Sequence, residues 1–330
     1  MKKLLISDTH LGIHKSSDIW HQSAIKLFKS IIDNCNRKNI KTIIHLGDWF
    51  DDRKTLNIKT LSVTIHIMEM LKNFNVIIII GNHDSYYKTD VYPTSLDVFK
   101  EYKNVSVIRE TCTIDNITLV PWEKLTPEIL KKGGKFLFGH FEINSFYTNE
   151  KHIYNKSIFN INDFKNFDLV LSGHFHIPTK KNNIIYLGSP YHMSFNDVNS
   201  DRGYYIFDDN NIEFISFTDA PQYVIINSEQ EIKSDIITNN IVKLQFLKDY
   251  GINENTKIIE SIRIHNPLQL YTDFSSISII EDKVTDFDEI ENIKIMDHKD
   301  IFFEYINKIE IPEHLKKSVM KQMINKILKE

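Results

Sequence analysis

The sequence is poor in cysteine: Cys35 and Cys112 are the two in 330 residues, far apart and without a Cys-x-x-Cys spacing. That excludes a disulfide framework and a zinc–thiolate cluster, and leaves both thiols as core residues of a reducing compartment. Long apolar runs are also missing. No stretch approaches the roughly 18 consecutive apolar residues of a membrane span. The run at residues 4–6 stops at Ser7 and Asp8, too short for a secretory signal, so a cytoplasmic protein without membrane contact is expected. There is no excess of positive charge either: 40 Lys and Arg face 44 Asp and Glu, a formal net charge of -4. Contact with nucleic acid must therefore be local.

What is present is an ordinary globular composition, 42% hydrophobic and 25% charged, in a chain long enough for two domains. Short β-rich runs at 3–6, 42–46 and 76–80 are separated by amphipathic segments around 25–32 and 61–71, which predicts an α/β arrangement with crossover helices. Further strands are expected at 105–108, 117–120, 136–138, 169–171 and 184–187, and a hairpin at 204–207 and 212–217 turning around 208–211. From about Ala220 to Asp288 the pattern changes to short strand-like runs with polar breaks, read as a smaller second domain. The tail from Asp297 is helical with a break at Ile311-Pro312, and Leu315, Val319, Met323, Ile324, Ile327 and Leu328 form one apolar stripe.

Five polar motifs follow strands in order: Asp8-Thr9-His10, Gly47-Asp48, Gly81-Asn82-His83-Asp84, Gly139-His140 and Gly173-His174-Phe175-His176. Ligands of open α/β sheets bind beyond the carboxyl ends of strands, so these side chains are expected to converge. Two divalent ions about 3.5–4 Å apart can clamp the attacking and leaving oxygens of a phosphoryl displacement and supply a nucleophile near neutral pH. That requires a bridging carboxylate and two terminal ligand sets. Asp48 is the expected bridge, with Asp8, His10 and His176 on one ion and Asn82, His140 and His174 on the other. Imidazole and oxygen without thiolate suit Mn, Fe or Zn. His83 is free to face the phosphate, Asp51 is placed to pair with it, and Asp84 either braces its loop or acts in catalysis. A lone histidine after a strand is more often structural, and His14, His21, His45, His66, His152 and His192 are read so.

The ordered set resembles the calcineurin-like metallophosphoesterases, over roughly the first 210 residues. Within that superfamily Ser7-Asp8-Thr9-His10-Leu11-Gly12, Gly188-Ser189-Pro190 and Arg202-Gly203-Tyr204 are similar to SbcD-type DNA repair exonucleases. The resemblance implies a two-sheet sandwich flanked by helices (1–218, nuclease), a smaller α+β capping domain that binds DNA (219–290) and a C-terminal helical segment (291–330) docking on an SMC-like ATPase of the SbcC type. It also implies two Mn ions, DNA as substrate in break processing, recombination or replication, both exonuclease and endonuclease action, and a homodimer through residues 58–71. Asp51 stands where archaeal and eukaryotic relatives carry histidine, which matches the bacterial and phage branch. The run Asp48-Trp49-Phe50-Asp51-Asp52-Arg53 lacks the Asp-Arg-Gly of Ser/Thr phosphatases. Lys15, Arg53, Lys54, Lys88, Lys180 and Lys181 lie within a few residues of the motif loops and are the candidate DNA contacts. The competing readings are a small-substrate phosphodiesterase of the same fold and a non-catalytic scaffold.

Overall fold

The computed structural model describes residues 2–149, 152–209 and 211–275. Strands β1 (Lys3–Ile6), β2 (Thr42–His45) and β3 (Asn75–Ile79) pair in parallel, and Val105–Ile108 extends them. The antiparallel hairpin Gly203–Asp208 and Asn211–Ser216 completes a six-stranded sheet on the other side of β1. A second six-stranded sheet is built around the parallel pair β4 (Gly134–His140) and β5 (Phe167–Gly173).

Side-chain alternation, with its period of two, explains how the layers stack. Leu5, Ile44, Ile77 and Ile79 face the second sheet, where they meet Phe136, Phe138 and Leu171 in one buried cluster. Their neighbours Leu4, Ile6, Ile43, Val76 and Ile78 face the opposite way and pack on α1 (Asp18–Arg37) and α2 (Ile58–Met70) through Ala24, Leu27, Phe28, Ile31, Ile67 and Met68. On the outer face of the second sheet Leu137, Val170 and Tyr186 bury Phe141, Phe146 and Phe164. The sheets meet through edge-to-face rings, with Phe207 at 5.0 and 5.2 Å from Phe136 and Phe138. The two-sheet sandwich flanked by helices is thus the architecture of this part of the chain. No helix among the described residues is long and apolar enough to cross a membrane.

Beyond Ala220 three parallel strands, Tyr223–Asn227, Ile241–Gln245 and Gln269–Asp273, form a separate small sheet. Its core is Ile226, Ile237, Val242, Leu244, Phe246 and Ile262. Nothing in the strand-like pattern of this region anticipates the helix Ile252–Arg263, which starts after Gly251 and buries Ile262. The expected tail helices and apolar stripe, and the end of the expected capping domain, lie outside the described residues.

Candidate metal centre

The ends of β1, β2 and β3 are adjacent in one sheet, and those of β4 and β5 in the other, so five separate loops meet at one edge of the sandwich. The turns are tight and strained. Asp8, His10, Asp48 and His174 all have positive φ, at 52°, 43°, 58° and 94°. Such a conformation costs a non-glycine residue about 1–3 kcal/mol and persists where the surroundings impose it, chiefly at functional sites. Close approach also explains two glycines. A Cβ on Gly173 would lie 2.0 Å from Ser7 Oγ, and one on Gly81 2.2 Å from Asp48 Oδ1.

The seven expected ligands converge. Asp48 Oδ2 lies between His10 Nε2 at 3.6 Å and His140 Nε2 at 3.4 Å. On one side His10 Nε2 faces His176 Nε2 at 3.1 Å, and His176 Nε2 is 4.0 Å from Asp8 Oδ1. On the other, Asn82 Oδ1 is 2.9 Å from His140 Nε2 and 2.8 Å from His174 Nδ1. Three compact trios emerge: Asp8 with His10 and His176, Asp48 with His140 and His174, and His10 with Asp48 and His83.

The protons on the rings decide whether cations fit. A backbone carbonyl can only accept, so the 2.7 Å contact of His140 Nδ1 with Leu46 O places a proton on Nδ1. The Nε2 lone pair of neutral His140 then points at the oxygens of Asn82 and Asp48. His174 Nε2 likewise lies 3.0 Å from Glu142 Oε1, which leaves its Nδ1 lone pair against Asn82 Oδ1. Acceptors facing acceptors at 2.8–3.4 Å need a positive charge between them. Octahedral coordination at about 2.1 Å sets neighbouring donors about 3 Å apart, which these spacings resemble. In the absence of an ion a proton meets the same need. Burial opposes it, but the charge and hydrogen bond of Asp48 carry the His140 pKa up to about 9. Burial also raises Asp48, yet His140 and His10 hold its carboxyl well below the usual range. The residues therefore fit divalent ions, held by imidazole and oxygen alone.

The loops are braced by hydrogen bonds to buried carboxylates. Asp84 is wholly buried and accepts four backbone N–H bonds, from Asp48 and Gly81 on Oδ2 and from Trp49 and Phe50 on Oδ1, at 2.9–3.1 Å. Of its two expected roles the bracing one matches this placement. Burial and then the charge of Asp48 push its carboxyl up to about 7, against those backbone donors. Asp8 is fixed by Ser7 Oγ at 2.5 Å and by His174 N–H.

The expected Asp51–His83 carboxylate pairing is not formed. His83 Nδ1 contacts the backbone carbonyl of Asp51 at 2.5 Å, while the Asp51 carboxylate sits 3.3 Å from His10 Nδ1, at ion-pair distance without aligned hydrogen-bond geometry. The backbone contact wins because the loop after Asp48 brings that carbonyl, rather than the side chain, to the ring. Burial lowers the His83 pKa, so the expected charged form is not favoured before substrate arrives. His83 N–H also donates to Asp48 Oδ1 at 2.8 Å, and its ring lies 4.7 Å from that of His10.

Glu142 belongs to none of the five motifs. Its two oxygens take His174 Nε2 and the Tyr154 hydroxyl. The available signal was an acidic residue two positions after His140, on the same side of an extended chain. Most of the histidines read as structural have such partners: His45 bonds Thr9, His21 bonds Thr60, His14 meets Met193 O and Tyr223, and His192 bonds Ser200 O and Tyr223 N–H. Among the candidate DNA contacts, Lys15, Lys54, Lys88 and Lys180 are exposed. Lys181 is already engaged, donating to Ser145 O and lying over the rings of Phe146 and Tyr147.

The calcineurin-like phosphoesterase family profile matches residues 1–178. Exonuclease subunit 1 of Enterobacteria phage T4 is 29% identical over 347 aligned residues, covering 94% of this chain and 93% of that protein. The DNA double-strand break repair protein Mre11 of Methanosarcina acetivorans is 30% identical over 36% of this chain, and that of Sulfurisphaera tokodaii 37% identical over 28%. These two alignments span only 20% and 25% of the archaeal proteins. The nuclease MPE of Pseudomonas putida aligns in structure over 56% of this chain and 66% of its own, with a TM-score of 0.28 and 17% identity.

Proposed function

Because the chain belongs to the calcineurin-like phosphoesterase family, whose members bind divalent metals and hydrolyse phosphoesters, we propose that it is a two-metal, Mn-dependent DNA nuclease. The observation that carries the reading is Asp48 Oδ2, set between two complete sets of imidazole and oxygen donors. Asp8, His10 and His176 would hold one ion and Asn82, His140 and His174 the other, with Asp48 shared between them. When bound, such a pair offsets the charge of a phosphodiester and supplies a nucleophile at neutral pH. Leu46 O and Glu142 fix the ring tautomers of His140 and His174, so that the lone pairs face inward.

His83 faces the phosphate. Its Nδ1–H is spent on Asp51 O, so only the imidazolium offers a second N–H, from Nε2, to an oxygen of the reacting group. His83→Ala is expected to lower turnover about 10²–10⁴-fold while both ions stay bound. Unchanged turnover, or loss of metal measured by mass spectrometry, removes that role.

Glu142 is a positioning residue. Glu142→Gln is expected to weaken manganese binding about 10–100-fold in calorimetric titration, with turnover recovered at excess metal. A variant that binds manganese like the parent shows that Glu142 does not orient His174.

DNA as substrate is supported by the likeness to the phage exonuclease subunit along almost the whole of both chains and to the archaeal repair proteins in part. The decisive assay is manganese-dependent digestion of linear duplex and single-stranded DNA. Intact DNA alongside hydrolysis of a chromogenic diester would favour the small-substrate reading. We extend the proposal to a capping module formed by the sheet after Ala220, to an SMC-like ATPase partner for the C-terminal segment, and to a homodimer. The last is supported by Ile58 and Ile65, 83% and 52% exposed on the outer side of α2.

A further inference from the structure

Immediately after the Gly81–Asp84 motif the chain turns through a loop, residues 86–93, that exposes aromatic surface instead of burying it. Tyr86, Tyr87 and Tyr92 are 42%, 55% and 65% exposed. Tyr86 and Tyr87 pack edge to face on each other at 4.9 Å, and three large rings this exposed within seven residues forgo burial that the fold grants most other aromatics, which marks a recognition surface. The loop is nonetheless anchored. A bridge joins Ser85 to Thr94, Tyr86 N–H donates to Pro93 O at 3.0 Å, and Thr94 Oγ donates to Asp84 O at 2.8 Å. Trp122 Nε1 ties the middle of the loop through Lys88 O at 2.8 Å, and the Trp122 ring lies 5.2 Å from that of His174. The loop that carries the tyrosines is therefore tied to Asp84 at its base and to Trp122, a ring neighbour of His174, at its middle.

Cations interleave with the rings. Lys88 is exposed next to Tyr87, and Arg53 and Lys54 line with Tyr86 a groove of about 250 Å³. Arg53 is half-buried, and its Nη1 is buried without a hydrogen-bond partner among the described residues. The acids of the same groove are occupied: Asp97 pairs with Arg109, and Asp52 accepts from the backbone of Lys54 and Thr55.

Resting on the nuclease reading, we propose that this loop is a stacking platform for unpaired nucleotides of a single strand, Tyr86, Tyr87 and Tyr92 taking bases while Arg53 and Lys88 take phosphates. Alternation of rings with cations is the chemistry that binds single strands without reading sequence. In a duplex the base faces are stacked on one another and unavailable to the rings. The platform thus selects frayed ends, overhangs or loops, and holds the strand next to the scissile phosphate.

The test compares Tyr86→Ala/Tyr87→Ala with Tyr86→Phe/Tyr87→Phe in the full-length protein with manganese. Binding of a short phosphorothioate oligodeoxythymidylate is read by fluorescence anisotropy, and hydrolysis of a chromogenic diester reports on the metal centre. Loss of at least about tenfold in affinity for the alanine pair, with the phenylalanine pair near wild type and diester hydrolysis retained, is the expected result. Alanine variants that bind as wild type overturn the platform, as do phenylalanine variants as weak as alanine, which would assign the effect to the hydroxyls. Parallel loss of diester hydrolysis overturns it too, since the tyrosines would then be supporting the metal centre. A wild-type protein that turns over the diester but neither binds nor cuts DNA overturns the nuclease reading itself, which separates the two failures.

Discussion

Replacing Asp48 by Ala should reduce phosphoester turnover by at least about 10⁴-fold and lower the metal content from two ions per chain. The reason is geometric. Asp48 Oδ2 approaches both His10 and His140, while its Oδ1 anchors the backbone N–H of His83. Removing it takes the shared negative charge from both donor sets and lets the His83 loop drift. Asp48→Asn is the sharper variant, since the amide retains the shape and loses the charge. It should be nearly as inactive as the alanine variant on both DNA and a chromogenic diester. If Asp48→Asn keeps two ions and substantial turnover, the bridge is misassigned and the pairing of ligand sets must be redrawn.

Asp84→Ala is expected to act on stability first. Four backbone N–H groups, of Asp48, Trp49, Phe50 and Gly81, converge on its carboxylate in a fully buried position. Leaving a buried donor unpaired costs about 1–3 kcal/mol, so the variant should lose at least about 3 kcal/mol of unfolding free energy in denaturant titration. Metal binding should weaken with it, because two of those N–H groups flank the bridging residue. Asp84→Asn should also be destabilised, since its amide group can present only one acceptor oxygen and turns an NH₂ towards two donors. A fully stable Asp84→Asn protein without turnover would point to proton transfer by Asp84 instead of bracing.

Much of the centre was legible before any coordinates, because its ligands lie at the ends of short apolar strands whose period and length are themselves readable. Asp8, Asp48, Asn82, His140 and His174 needed only the rule that parallel strands present their carboxyl ends together. Features that depend on partners distant in sequence were not legible. Glu142 meets His174 across 32 residues, with no periodicity linking them. The partner of His83 turned out to be a carbonyl, and every residue has one, so no letter in the sequence could announce it. Lys181 looked free because its acceptor, Ser145 O, is again a backbone atom. In the small sheet after Ala220, the strands were expected in outline, while the helix Ile252–Arg263 was hidden by a polar sequence that buries only Ile262. Tyr86 and Tyr87 stand in no motif of the sequence, and their exposure is what sets them apart.

The rings of Phe136, Phe138 and Phe207 act as a spacer with a functional tolerance. Asp8, His10, Asp48 and Asn82 ride on one sheet and His140, His174 and His176 on the other, so the thickness of the interleaving core fixes the gap between two half-sites. Protein interiors are close-packed and pass strain on rather than absorbing it. A displacement of about 1 Å can cost about 10²-fold in rate. A change of core volume at Phe138, remote from any phosphate, is therefore also an adjustment of the aperture in which the chemistry takes place.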